Sequence, residues 1–128
     1  MTKPLVSIIT PCYNGEAFLK RYFESILNQT YPNLELIFIN DGSTDRTEEI
    51  ALSYRERLEK RGITYIYEKQ ENAGQAAALN RGLKLFTGEY LTWPDSDDEM
   101  VSDAVEKKVD YLEQHPDYGF CICKTKVV

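Results

Sequence analysis

The sequence predicts an α/β fold, a mostly parallel sheet flanked by helices, in one domain spanning residues 1–128. Three observations predict it. Apolar runs of strand length alternate four times with amphipathic stretches of helical period, the pattern left by right-handed βαβ units. The run Leu36-Ile37-Phe38-Ile39 has no polar alternation, as a parallel strand covered on both faces requires. Aspartate-bearing turns follow the second and fourth runs, which places Asp41 and the cluster Asp95-Ser96-Asp97-Asp98 on the carboxyl edge of one sheet. At 128 residues and 42% apolar content the chain is long enough for a sizeable core and of ordinary globular composition.

Leu5 to Thr10 is a β-branched run halted by Pro11, a first strand with a loop at its carboxyl end. Asn14-Gly15 supplies turn chemistry, and Asn14 is placed to cap a helix from about Glu16 to Asn28, with Leu19, Phe23, Ile26 and Leu27 inward. Tyr31-Pro32-Asn33 ends it, and Leu34 to Ile39 is the second strand. In Asn40-Asp41-Gly42-Ser43-Thr44-Asp45, Asp41-Gly42 turns the chain. Ser43, Thr44 or Asp45 then caps a second helix with Ile50, Ala51, Tyr54 and Leu58 inward. Ile63 to Tyr67 is the third strand. Asn72-Ala73-Gly74 leads into a small-residue helix, Gln75 to Phe86, whose Ala76-Ala77-Ala78 lets it lie close to the sheet while Leu79, Leu83 and Phe86 face the core. Gly88 ends that helix, Tyr90 to Trp93 is the fourth strand, and Val101, Val105, Val109 and Leu112 mark a last helix closed by His115-Pro116. His115 is expected on the surface of that helix end. Tyr118 to Cys123 reads as a further strand, and the pattern up to Val128 is expected to be that of an N-terminal fragment of a longer protein. Phe120, Ile122 and Val127 would then favour self-association.

A net charge of −6 disfavours a nucleic-acid surface, and no apolar run approaches the length of a membrane span. The three cysteines follow no secretory signal, and Cys121 and Cys123, alternating along a strand, should face opposite sides rather than share a metal. Reduced thiols in a cytoplasmic chain account for them. The densest chemistry is Asp95-Ser96-Asp97-Asp98. Carboxylates this close raise one another's pKa and stay charged most easily when a cation shares the site. Such hard oxygen ligands suit Mn²⁺ or Mg²⁺, with substrate phosphates completing the shell. The same residues also read as a polar turn in which Asp98 or Ser102 caps the next helix. Ligands of open α/β sheets bind outside the carboxyl ends of the strands, which groups Asp41 with this cluster. The sequence has no P-loop and no nucleophilic aspartate after the first strand, as an aspartyl phosphatase would. A nucleotidyltransferase is the alternative enzyme, but it would carry a Gly-rich, basic loop where this chain has Pro11-Cys12-Tyr13-Asn14-Gly15.

Seven stretches in order carry a resemblance: Val6 to Asn14, Ser25 to Tyr31, Asp41 to Asp45, Asn72 to Gly74, Ala77 to Gly82, Gly88 to Tyr90 and Asp95 to Asp98. Together, from about Pro4 to about His115, they are similar to the family 2 glycosyltransferases. The resemblance implies the Rossmann-like, nucleotide-binding half of the GT-A fold and transfer of a sugar from a nucleotide-sugar donor, a UDP-sugar in the usual case. The acceptor would be a saccharide, lipid or protein, in cell-envelope polysaccharide biosynthesis, with the full-length protein cytoplasmic or peripheral at the inner face of the membrane. Carried over residue by residue, Thr10, Pro11 and Tyr13 would lie beside base and ribose, Asp41 would hydrogen-bond the base, and Asn72 and Gly74 would belong to the nucleotide site. Asp95 would face the ribose or the metal's waters, and Asp97 would bind the Mn²⁺ or Mg²⁺ that bridges the diphosphate. The family often has Arg where this chain has Leu79, and Arg81 is expected on another helix face. The family mostly inverts the anomeric centre with a carboxylate base, expected beyond Val128. As given, the chain would then bind donor without turnover.

Overall fold

The computed structural model of the chain describes residues 3–93 and 102–114. The expectations for Asp95 to Asp98, Val101, His115 and the strand Tyr118 to Cys123 lie outside the described residues.

The sheet is built on β1 (Val6–Cys12), which pairs in parallel with β2 (Leu34–Asp41) on one side and with β4 (Tyr90–Thr92) on the other. A further parallel strand, β3 (Thr64–Gln70), adds to the outer side of β2, and the strand order is β3-β2-β1-β4. Every residue of β1 and β2 is buried, the outcome expected for β-branched runs without polar alternation.

Side chains alternate between two helical layers. Val6, Ile8, Cys12, Leu34, Leu36 and Phe38 pack beneath α1 (Leu19–Leu27), α2 (Thr47–Ser53), α3 (Arg55–Lys60) and α5 (Ala104–Gln114). Within this layer Phe23 of α1 stacks on Tyr54 and on Phe38, with ring centroids 4.8 and 5.5 Å away. Ile9, Ile37, Ile39 and Leu91 form a smaller core under α4 (Gln75–Leu83). Burying each such side chain contributes about 1.5–3 kcal/mol.

Several elements depart from the sequence pattern. The first helix begins at Leu19 rather than near Glu16, because Asn14 makes tertiary hydrogen bonds instead of capping. The single helix expected after β2 is two, α2 and α3, meeting at Tyr54, whose ring lies on Phe23 and whose hydroxyl donates to Glu24 at 2.9 Å. The fourth helix, α4, ends at Leu83 rather than Phe86; within it Ala78 and Gly82 are the buried residues, one helical turn apart, while Leu83 is exposed, Leu79 is half-buried, and Phe86 beyond its end is half-buried too. A Cβ on Gly82 would lie 2.4 Å from Ile9 Cγ2, so the helix approaches the sheet through its smallest side chains and turns Leu83 outward. Gly88 does not end α4. It passes so near β1 that a Cβ there would meet Ser7 Oγ at 2.5 Å and the Leu5 carbonyl oxygen at 2.8 Å.

Gly82 is therefore the sharpest test of this packing. Gly82→Ala gains about 1 kcal/mol of helix propensity, but overpacking against Ile9 costs about 1–3 kcal/mol. Gly82→Val keeps the overlap with less of the helical gain. Urea unfolding should show Gly82→Val clearly destabilised and Gly82→Ala no more stable than the unmodified chain.

Candidate functional site

With all four strands parallel, the loops after β1, β2, β3 and β4 leave from one edge of the sheet. From β1 the chain goes outward to β2 and β3 and then returns to the other side for β4, so a switch point lies between the carboxyl ends of β1 and β4. Crevices at such points are where open α/β sheets bind ligands. Thr10 and Asp41 share this edge, as expected, through the register that sets Cys12 opposite Asn40.

The β1–α1 and β2–α2 loops are joined by reciprocal hydrogen bonds. Asn14 has φ 52°, a left-handed conformation that asparagine tolerates better than most residues. Its backbone N–H donates to Ser43 Oγ at 2.9 Å, and its side-chain oxygen accepts from the Thr44 N–H at 2.8 Å. The Gly15 N–H donates to Thr47 Oγ1 at 2.9 Å, the Glu16 N–H to Asp45 Oδ2 at 3.1 Å, and Glu16 Oε1 accepts from the Arg46 N–H at 3.0 Å. Asp45 also accepts from the Thr47 N–H at 2.9 Å. The stretch read as turn and caps thus clamps two loops together.

Asp41 is the hub of the edge. Only 3% exposed, its Oδ1 accepts from Gln70 Nε2 at 2.9 Å and the Ala73 N–H at 2.8 Å. Its Oδ2 accepts from the Gly74 N–H at 3.0 Å and Asn72 Nδ2 at 3.3 Å. Burial pushes the carboxyl's pKa up, but the bonds from Gln70, Ala73 and Gly74 outweigh it and hold the group below the ordinary carboxylate value. The β3–α4 loop closes on this residue tightly enough that a Cβ on Gly42 would lie 2.5 Å from the Asn72 nitrogen. Gly74 precedes α4 at φ 101°, ψ 162°, a conformation open to glycine and strained for other residues.

The other expected site residues divide. Tyr13 is 52% exposed at the end of β1, and Pro11 is buried. Thr10 is fully buried and its hydroxyl is hydrogen-bonded to that of Tyr22 on α1, so its side chain ties helix to sheet. Arg81 is paired with Glu68, Nη2 to Oε1 at 2.7 Å. Asp95 and Asp97 lie outside the described residues, beyond Trp93 at the exit of β4. Among the described residues no group of three or more His, Cys, Asp or Glu is arranged to hold a metal. Gln70 was not anticipated, because β3 was expected to stop at Tyr67. The polar residues Glu68-Lys69-Gln70 hide a strand whose last residue stands opposite Asp41.

Because Asp41 and Asp45 are both held below the ordinary carboxylate value, their ionised forms stabilise the fold. That stabilisation is complete above the unfolded-state value of about 3.9 and is lost as pH falls through the lower folded-state value. Asp41→Ala should cost about 2–3 kcal/mol in urea unfolding at neutral pH. The gap between variant and unmodified chain should narrow as the pH falls below about 3.9.

A family model described as Glycosyl transferase family 2 matches residues 7–127. An uncharacterised glycosyltransferase of Haemophilus influenzae is 42% identical over 127 residues, 94% of this chain and 50% of its own length. S. aureus TarS has been solved with UDP and with UDP-GlcNAc. Its UDP complex superposes with a TM-score of 0.79 at 26% identity, over 87% of this chain and 32% of that one. The mannosyltransferase PcManGT from Pyrobaculum calidifontis, in complex with GDP-Man and Mn²⁺, gives 0.78 at 30% identity over 88% of this chain and 33% of its own. The chain thus spans a third to a half of the length of these proteins. A family match running from β1 past α5, on a parallel sheet with these structural neighbours, makes the chain a member of glycosyl transferase family 2 with the GT-A fold.

Proposed function

We propose that the protein transfers a sugar from a nucleoside-diphosphate donor, with UDP as the nucleotide, to a saccharide, lipid or protein acceptor, using Mn²⁺ or Mg²⁺ on the diphosphate. The observation that carries this reading is the convergence at one sheet edge of an exposed Tyr13, the loop organised by Asp41 and the open cleft beside Gly42, Ser43 and Asn72. The nucleotides bound by TarS and PcManGT support a nucleoside-diphosphate donor, and that of TarS supports UDP. Tyr13 and Pro11 would flank base and ribose, and Asn72 and Gly74 belong to the base end. Asp95 and Asp97, at the exit of β4, would hold the ion. The fit rests on donor chemistry: hard carboxylate oxygens suit these ions. When bound, the ion offsets the negative charge that develops on the departing diphosphate.

The chain's own residues fix the donor rather than activate the acceptor. The clamp between Asn14 and Thr44 and the bonds around Asp41 hold the edge before ligand arrives, and such preorganisation reduces the ordering cost of binding. Inversion needs a carboxylate to take the acceptor's hydroxyl proton as the new glycosidic bond forms. Glu68 is paired with Arg81, Asp41 is saturated, and Glu35 lies buried at the far end of the sheet. On the family resemblance we assign the base to the part of the family's length that this chain does not span, with Glu68, Glu71 and Asp103 the carboxylates to test first should the chain alone turn over.

Calorimetry with UDP tests the reading. Affinity should rise at least about tenfold when Mn²⁺ replaces EDTA, since diphosphate and aspartates share the ion. Asp97→Ala should remove most of that gain. UDP binding indifferent to metal and to the substitution would overturn the assignment.

A further inference from the structure

The first turn of α5 is held by a side chain from another helix. The Lys107 N–H donates to the Asp103 carbonyl oxygen at 3.0 Å, which makes Asp103 the cap residue and puts Val105 among the N–H groups that a helix leaves for outside partners. The cap's own side chain commonly takes such an N–H. Asp103 instead pairs with Lys107, Oδ2 to Nζ at 3.2 Å, and the Val105 N–H donates to Gln29 Oε1 at 3.2 Å. Gln29 lies just beyond α1 and is 3% exposed. Its amide has one orientation that suits both neighbours. The Ser25 carbonyl oxygen only accepts, so Nε2 faces it at 3.3 Å, and Oε1 is left toward the Val105 N–H, which only donates. Beside it the Thr30 N–H donates to the Ser102 carbonyl oxygen at 2.8 Å, and the Thr30 hydroxyl donates to Glu106. Arg61, following α3, fixes this turn from behind by donating to the carbonyl oxygens of Leu27, Gln29 and Tyr31. The start of α5 is thus fastened to the end of α1.

Only eight residues, 94–101, separate Trp93 from Ser102 in the sequence, and Asp95 and Asp97 are among them. On the β4 side Thr92 is paired with Ile8. The shorter a segment and the more firmly its ends are held, the less entropy a ligand must remove to order it. We infer that Gln29 is a positioning residue for the ion of the proposed donor site. It acts through α5, by fixing the point at which the chain carrying Asp95 and Asp97 rejoins the fold. Where that point is loose, the ion-binding arrangement is populated for only part of the time, and apparent affinity falls by that fraction. The inference rests on the nucleotide-donor reading and adds to it a buried residue of another element on which ion binding depends.

Calorimetry of the 128-residue chain with UDP, in Mn²⁺ and in EDTA, tests it through a ratio of affinities. Gln29→Met keeps the length of the side chain but has no oxygen for the Val105 N–H. In this variant the gain from Mn²⁺ should fall about threefold to tenfold, while UDP affinity in EDTA stays within about twofold. A residue that served stability alone would leave the ratio unchanged, so an unchanged ratio overturns the inference. In an Asp97→Ala background Gln29→Met should cause no further loss of the gain, because both act on the same ion. An added loss there overturns it too. Thr30→Val disturbs the same fastening from an exposed position and should lower the Mn²⁺ gain about twofold. If Gln29→Met does not fold, an undiminished gain in Thr30→Val overturns the inference. These results leave the donor reading standing. Absence of any Mn²⁺ gain in the unmodified chain would overturn both.

Discussion

The constraint on which the structure depends is that β1 and β2 are the inner strands of the sheet and that every residue on them is buried. Both are paired on each side and covered by helices above and below, so every polar side chain on them must find its partner inside the protein. At the amino end Glu35 accepts from the Ser7 hydroxyl at 2.7 Å, the Thr87 N–H at 2.9 Å and the Thr87 hydroxyl at 2.8 Å, while the Gly88 N–H donates to Ser7 Oγ at 2.9 Å. Thr10 is hydrogen-bonded to Tyr22, and Asn40 donates to Tyr67 at 3.0 Å and accepts from the Ser43 N–H at 3.1 Å. Asp41 repeats the solution of Glu35 at the opposite end of the same strand. The two carboxylates differ in what surrounds them. Glu35 binds the approach to β4 against the sheet. Asp41 sits beside an open cleft, so its satisfaction has a consequence for ligands.

Much of this was legible in the sequence because the signals are local. The unbroken apolar run of β2 announces a strand buried on both faces, and Leu19, Phe23 and Ile26 announce the inward stripe of α1. The position of Asp41 at the carboxyl edge follows from counting strands. What local patterns could not convey are the bonds that reach across about 30 residues. Asn14 has the chemistry of a cap, and only the fold brings Thr44 close enough to claim its side chain. Likewise, the apolar count of α4 favours Leu83 as a core residue. The helix instead settles on Ala78 and Gly82, because a close approach to Ile9 buries more of the sheet than a larger side chain would permit. Gln70 was hidden for a related reason: edge strands are half-exposed, so their polar ends look like loop.

The stretch that carries Asp95 and Asp97 enters and leaves at points bound to the fold. Before it, Thr92 is paired with Ile8 in the β1–β4 ladder. After it, the Thr30 N–H donates to the Ser102 carbonyl oxygen at 2.8 Å, Gln29 Oε1 accepts from the Val105 N–H at 3.2 Å, and the Thr30 hydroxyl donates to Glu106. Gln29 is buried and Arg61 braces the same turn, donating to the carbonyl oxygens of Leu27 at 3.2 Å and Tyr31 at 3.2 Å and also to that of Gln29. The end of α1 thus serves as the anchor for α5. The Gln29-Thr30-Tyr31 stretch, legible as a family resemblance, has a physical role in this arrangement.

On the proposed reading, base and ion occupy different parts of one edge. Gln70 and Asn72 belong to the β2–β3 end, whereas β4, which precedes the aspartates in sequence, pairs on the other side of β1. Neighbouring strands lie about 4.8 Å apart, so β2 and β3 stand roughly 10–14 Å from β4. A compact ligand cannot touch both. An elongated one, with an uncharged planar group at one end and a metal-bound diphosphate at the other, would span them over β1, where Pro11 and Tyr13 leave the sheet. The distance also decouples the two recognition problems. Groups at the base end need not share the field of the ion, and the carboxylate there, Asp41, already has its oxygens satisfied by its donors. A free carboxylate at the base end would compete with the diphosphate for any divalent ion. Four hydrogen bonds to Asp41 remove that competitor while keeping the charge that orients its neighbours.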